Sequence, residues 1–179
     1  HVIAGTIAMF VALVPYASKK GGPKHRKYGR IFLWLMGIVI LTALNGVLFF
    51  RDRPFLTVVT LLSFYAAYSG FRILKTRETG FQLIDVAVMI AVILAGISFV
   101  IQIQTANVFW HVSIVYYLLG YVFVLVGFDL VRYFFPNLIR FKRFWIYEHI
   151  YKMTGAFTAL VSAGAGTVLT GWEPYNQIV

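Results

Sequence analysis

Six apolar stretches, each near the length that crosses a bilayer, constrain this chain more than any other feature. They fall at 1–17, 30–50, 55–74, 82–104, 108–131 and 146–170. A spanning helix needs about 20 mostly apolar residues at a rise of about 1.5 Å each. The breaks between the stretches are rich in turn formers and charge. Lys19-Lys20-Gly21-Gly22-Pro23 ends the first, and Arg51-Asp52-Arg53-Pro54 separates the second from the third. Residues 75–80, then Thr105-Ala106-Asn107, then Phe135-Pro136-Asn137 punctuate the rest. Proline and glycine clusters outside apolar runs mark boundaries. The pattern predicts an all-α fold, a six-transmembrane-helix bundle that forms a single integral membrane domain over 1–179.

Composition excludes the alternatives. Hydrophobic residues make up 60% of the chain and charged residues 12%, where a soluble domain averages roughly 45–50% and about 25%. A chain of 179 residues cannot hide that surface from water. An ordinary soluble enzyme, a disordered chain and a secreted scaffold are therefore excluded, and the lipid bilayer becomes the expected partner. The sequence has no cysteine. Disulfides, thiolate nucleophiles, zinc–thiolate sites, iron–sulfur clusters and covalent haem attachment are excluded with it. The chain opens on His1 rather than an initiator Met, so further residues are expected upstream.

The charge of +10 would suggest nucleic acid in a soluble protein. Here its distribution argues for topology. All but Arg51 and Arg53 of the 16 Lys and Arg residues lie in the 18–30, 72–80 and 132–145 loops or at the flanking Lys152. Short loops rich in Lys and Arg stay in the cytoplasm. Both termini are then expected outside, in the inner membrane of a bacterium, and no nucleic acid is needed to explain the charge. Trp110, Trp172 and Tyr175 near one face, and Trp145, Tyr28 and Tyr147 near the other, read as interfacial belts. Small residues from Gly155-Ala156 to Gly166 in the last stretch permit close approach of helices, or of a flat cofactor.

The polar residues that need an explanation are few. The four histidines sit at span ends: His1 and His111 at the outer side, His25 and His149 at the inner side. Each pair comes from two different helices. Haem iron takes two axial ligands, and neutral imidazole serves well. The pairs His1/His111 and His25/His149 are therefore candidate iron ligands for one or two haem b groups, one per leaflet. Gly5 and Gly29 lie four residues after His1 and His25 and could clear room for the macrocycle. The plainer reading has the histidines hydrogen-bonding headgroups or backbone carbonyls. Asp85, Asp129 and Glu148 fall at the inner ends of spans beside Arg72 and Arg132. Intramembrane ionisable groups are costly and usually paired. They are expected to form ion pairs that dock the basic loops; the alternative is a metal or proton site with His25 and His149.

Two resemblances bear on function. The segments His1-Val2-Ile3-Ala4-Gly5, Lys19-Lys20-Gly21-Gly22-Pro23-Lys24-His25-Arg26-Lys27-Tyr28-Gly29-Arg30 and Glu148-His149-x-x-x-Met153-Thr154-Gly155 resemble an uncharacterised bacterial family of multi-helix membrane proteins. That family has a Lys-Gly-Gly…His-Arg-x-x-Gly loop, and the resemblance implies no activity. More distantly, His1, His25, His111 and His149 are similar to the histidines of the transmembrane di-haem cytochromes b of the ascorbate-reducible type. That similarity implies the same pairing. Here two helices without histidine intervene, and the histidines sit at span ends. The leading expectation is a haem-binding electron-transfer protein, working with a quinol or a redox partner protein. The alternatives are a non-catalytic subunit of a larger membrane complex, an intramembrane metal-dependent enzyme using the inner histidines and carboxylates, and a transporter.

Overall fold

The computed structural model describes residues 1–49, 54–105, 112–136 and 143–168. Among these residues the chain is all-helical, with no strand. The order is α1 (Val2–Ala17), α2 (Pro23–Phe49), α3 (Pro54–Thr79), α4 (Leu83–Thr105), α5 (Val112–Phe134) and α6 (Phe144–Val168). Four helices are long and apolar enough to cross a membrane, over Pro23–Gly46, Phe55–Thr79, Leu83–Gln104 and Ser113–Phe134. The apolar helix α1 is shorter, at 16 residues, and α6 carries Glu148 and Lys152 in its first turns.

Two helices extend further into the basic segments than the apolar runs indicate. α2 begins at Pro23, not at residue 30, so His25 lies in its first turn. Proline suits a first helical position because its missing N–H has no partner there in any case. The Gly22 carbonyl receives the first helical bond, from Arg26 N at 3.0 Å. α3 runs on through the expected 72–80 loop to Thr79. Gly80 stops it with φ +70°, and its N–H donates to Thr76 O at 2.8 Å. That left-handed cap satisfies a terminal carbonyl. α6 likewise begins at Phe144, which puts His149 in its second turn. Hydropathy marks where lipid ends and does not mark where helical hydrogen bonding ends.

Two compact units share the chain: His1–Phe64 with the segment from Ala156 onward, and Tyr65–Gly155. In the first, α1 lies along α2. Ala8 and Ala12, one turn apart on α1, are buried, as are Phe32, Met36, Val39 and Ile40 on α2. Small residues at that spacing let helix backbones close without voids. In the second unit α4 lies along α5. Gly96 is the contact point, since a Cβ there would come within 2.8 Å of the Phe123 ring.

The outward faces are apolar. Trp34 is 78% exposed, Leu83 84% and Tyr117 80%. Water penalises such surface, whereas hydrocarbon does not. The small-residue run of α6 is used in helix contacts. Gly155 lies against Ala66 and Tyr121 in the second unit; Gly164 meets Met9 and Gly166 meets Phe55 in the first.

Candidate functional site

The buried stripes of α4, α5 and α6 each end on a charge. On α5 it runs Val115, Leu119, Val122, Val126 and then Asp129. On α4 it starts at Asp85 and continues through Met89 and Val92. On α6 it runs Glu148, Lys152, Ala156, Ala159. Steps of three and four keep these residues on one helix face, so the same register that buries the valines buries the acids.

Lys152 is the centre of one cluster. It is 2% exposed. Its ammonium donates to Asp129 Oδ1 and Oδ2 and to Glu148 Oε1, each at 2.7 Å. Tyr65 on α3 donates to Asp129 Oδ2 at 2.5 Å. Arg132 pairs with Glu148 Oε2, and its guanidinium lies 5.5 Å from the Phe81 ring centroid and 5.8 Å from that of Phe144. Two cations therefore face two carboxylates, and each lysine hydrogen has an acceptor. Lys152 does not belong with the loop cations, where charge counting placed it. The helix register carries it inward, four residues after Glu148.

Asp85 anchors a second cluster. Arg72 grips it with two bonds, Nε to Oδ1 at 2.6 Å and Nη2 to Oδ2 at 2.7 Å. Tyr68 adds a bond to Oδ1 at 2.9 Å. Asp85 Oδ2 also accepts the Gln82 N–H at 2.9 Å, while the Gln82 carbonyl accepts from Asp85 N. That reciprocal pair caps the start of α4. The expected pairing of inner carboxylates with basic residues is thus present for Asp85, Asp129 and Glu148. Among the described residues no group of three or more His, Asp or Glu side chains is placed to hold a metal ion.

The candidate histidines fall in different places. In the first unit, His1 Nδ1 lies 3.0 Å from Thr42 Oγ1, and His25 Nδ1 lies 3.2 Å from Pro15 O. In the second, His149 Nδ1 lies 2.7 Å from Gly70 O. His111 lies outside the described residues. A carbonyl only accepts, so His25 and His149 carry their proton on Nδ1. Thr42 spends its own proton on the Ile38 and Val39 carbonyls, at 2.8 and 2.9 Å, so His1 also donates from Nδ1. For His1 that leaves Nε2 as the other ring nitrogen. Imidazoles that ligate metals are held this way, with the other ring nitrogen donating.

His1 lines a cleft of about 410 Å³ in the first unit. Val39, Ala43, Gly46, Leu56 and Leu160 give it apolar walls, and Thr57, Thr60 and Ser63 add hydroxyls. Small-molecule sites typically occupy roughly 300–1,000 Å³ with a few placed polar groups. Gly5 packs on that wall: a Cβ there would stand 3.8 Å from Leu160 and 4.0 Å from Val39, which is ordinary contact. Gly29 faces open space, with nothing within 4 Å of a Cβ.

Gly70 is a site residue that sequence reasoning missed. A Cβ on it would stand 3.0 Å from Lys152 Cβ and 3.1 Å from Met153 Sδ. Its bareness lets α3 meet the segment of α6 that carries Lys152, and its carbonyl orients His149. A single glycine in an apolar run gives no signal of this.

Comparison with protein-family models, with curated proteins and with solved structures finds no match for this chain.

Proposed function

We propose that the chain is an integral protein of the bacterial inner membrane, with six spans and both termini outside, that binds haem b and transfers electrons across the bilayer. The observation that carries this reading is His1: an imidazole on the wall of a cleft of about 410 Å³, with Nδ1 held by Thr42 and Nε2 left as the basic nitrogen. One nitrogen donor beside apolar walls fits one side of a bis-imidazole haem site. His1 and His111 would hold one haem at the outer side, and His25 and His149 a second. Haem, when bound, supplies a one-electron couple. The chain's part is to fix the tautomer through Thr42, to exclude water with Leu56 and Leu160, and to leave space at Ala43 and Gly46. A quinol or a redox protein is the partner this reading calls for. The similarity of the four histidines to those of the ascorbate-reducible cytochromes b supports it too.

The test is the visible absorption spectrum of the protein purified after haem-replete expression. A Soret band that weakens in His1→Ala and in His111→Ala is expected. A protein without that band would overturn the reading and leave a non-catalytic subunit of a larger membrane complex.

A further inference from the structure

One exposed stripe of α2 changes from cationic to apolar along its length. Lys24, Lys27, Ile31, Trp34, Ile38 and Leu41 are all exposed and follow one another at steps of three and four, so they share one helix face. Arg30, also exposed, lies beside them, three residues after Lys27 and four before Trp34. The buried Phe32, Met36 and Val39 occupy the opposite face. Trp34 is 78% exposed and Leu41 64%. Between them Gly37 leaves a notch, since a Cβ there would meet nothing within 4 Å. Among the described residues the first unit has no carboxylate side chain, so Lys24, Lys27 and Arg30 have no acid to pair with inside it. Lys20 is used differently. Its ammonium caps α1, donating to Pro15 O at 2.9 Å and to Tyr16 O at 2.7 Å.

We propose that this stripe binds an anionic phospholipid, whose phosphate sits among Lys24, Lys27 and Arg30 and whose acyl chain lies along Trp34, Gly37 and Leu41. Charge selects the headgroup. Basic side chains at a membrane surface attract anionic lipid, and a guanidinium meets phosphate oxygens with paired donors. Length fits the chain. From Ile31 to Leu41 the helix rises about 15 Å at about 1.5 Å per residue, which is half of a hydrocarbon core about 30 Å thick. The cations then stand where headgroups begin. The segment Pro23–Gly46 is itself long and apolar enough to cross a membrane. Cations that only set orientation need no register with an apolar face, and these are in register with one. A soluble polyanion would match the charge and leave the apolar part of the stripe unmatched; an anionic phospholipid matches both. His25 lies on the other face of α2, with Nδ1 3.2 Å from Pro15 O. The surface is therefore separate from the candidate iron ligands and does not rest on the haem reading.

Quenching by brominated lipid tests this, because bromine on an acyl chain reports lipid beside a tryptophan. The full chain carrying Trp110→Phe, Trp145→Phe and Trp172→Phe keeps Trp34 as the reporter. It is placed in phosphatidylcholine vesicles that contain brominated phosphatidylglycerol or brominated phosphatidylcholine at the same mole fraction. Quenching of Trp34 should give a several-fold higher association constant for phosphatidylglycerol, and the excess should shrink as salt rises. Adding Lys24→Gln, Lys27→Gln and Arg30→Gln should bring the two lipids to equal quenching. Lys75→Gln with Arg77→Gln, which removes two exposed cations of the second unit, should leave the excess in place. Equal quenching on the unaltered stripe overturns the proposal, and that comparison decides even where the triple variant fails to fold. An excess that survives the triple change in a folded protein also overturns it. So does an excess abolished by inorganic phosphate at matched ionic strength, which would make the stripe a site for a free anion.

Discussion

Lys152 separates what a single residue's chemistry states from what its position decides. Chemically it resembles the loop lysines. By register it is buried between two acids. Removing it should leave Asp129 and Glu148 facing each other with one cation, Arg132, between them. Breaking a buried pair costs about 3–5 kcal/mol, so Lys152→Ala should lower stability by that order in a detergent unfolding titration. The double variant Lys152→Met with Asp129→Asn should recover part of the loss, because no uncompensated charge is added. Thr42 offers a prediction of the opposite kind. Thr42→Val removes the acceptor that fixes the His1 tautomer, with little packing cost on an exposed face. If haem is bound at His1, the Soret band should shift or weaken while the stability of the haem-free protein holds within about 0.5 kcal/mol.

At the scale of elements, the sequence made the helices legible and their ends less so. Apolar run length located all six, and it put Asp85, Asp129 and Glu148 at the ends of those runs. The polar first turns of α2 and the last turn of α3 stayed hidden, because hydropathy does not see capping. The geometric signals were Pro23 and Gly80. Gly80 adopts a left-handed conformation that costs an L side chain roughly 1–2 kcal/mol. Gly80→Ala should therefore destabilise by about 1 kcal/mol, read as a lower unfolding midpoint. Gly96 works through space. Its missing Cβ admits the Phe123 ring, and Gly96→Ala should cost about 1–3 kcal/mol by overpacking. The site was less legible than the helices. Nothing in the residue string ties His149 to the Gly70 carbonyl, because that contact depends on how closely two distant stretches approach.

For the whole molecule, the charge bias predicts orientation. Cysteine placed at Lys20 should resist an impermeant thiol reagent in intact cells, and cysteine placed at Arg51 should react. The reverse pattern would invert the topology. The arrangement of the charged cluster also bears on how the chain is assembled. The chain leaves the ribosome from its N-terminal end, so α5 is made before α6 exists. During that interval Asp129 lacks Lys152, and its nearest cation is Arg132, three residues on along the same helix. Glu148 and Lys152 arrive four apart on α6, already neutralised as a pair. In the finished protein Lys152 keeps Glu148 and adds Asp129, while Arg132 lies on Glu148. The last helix therefore brings the cation that Asp129 lacks until then. Chains truncated before residue 144 should hold α5 poorly and be cleared by quality-control proteolysis, and supplying α6 as a separate peptide during synthesis should restore them.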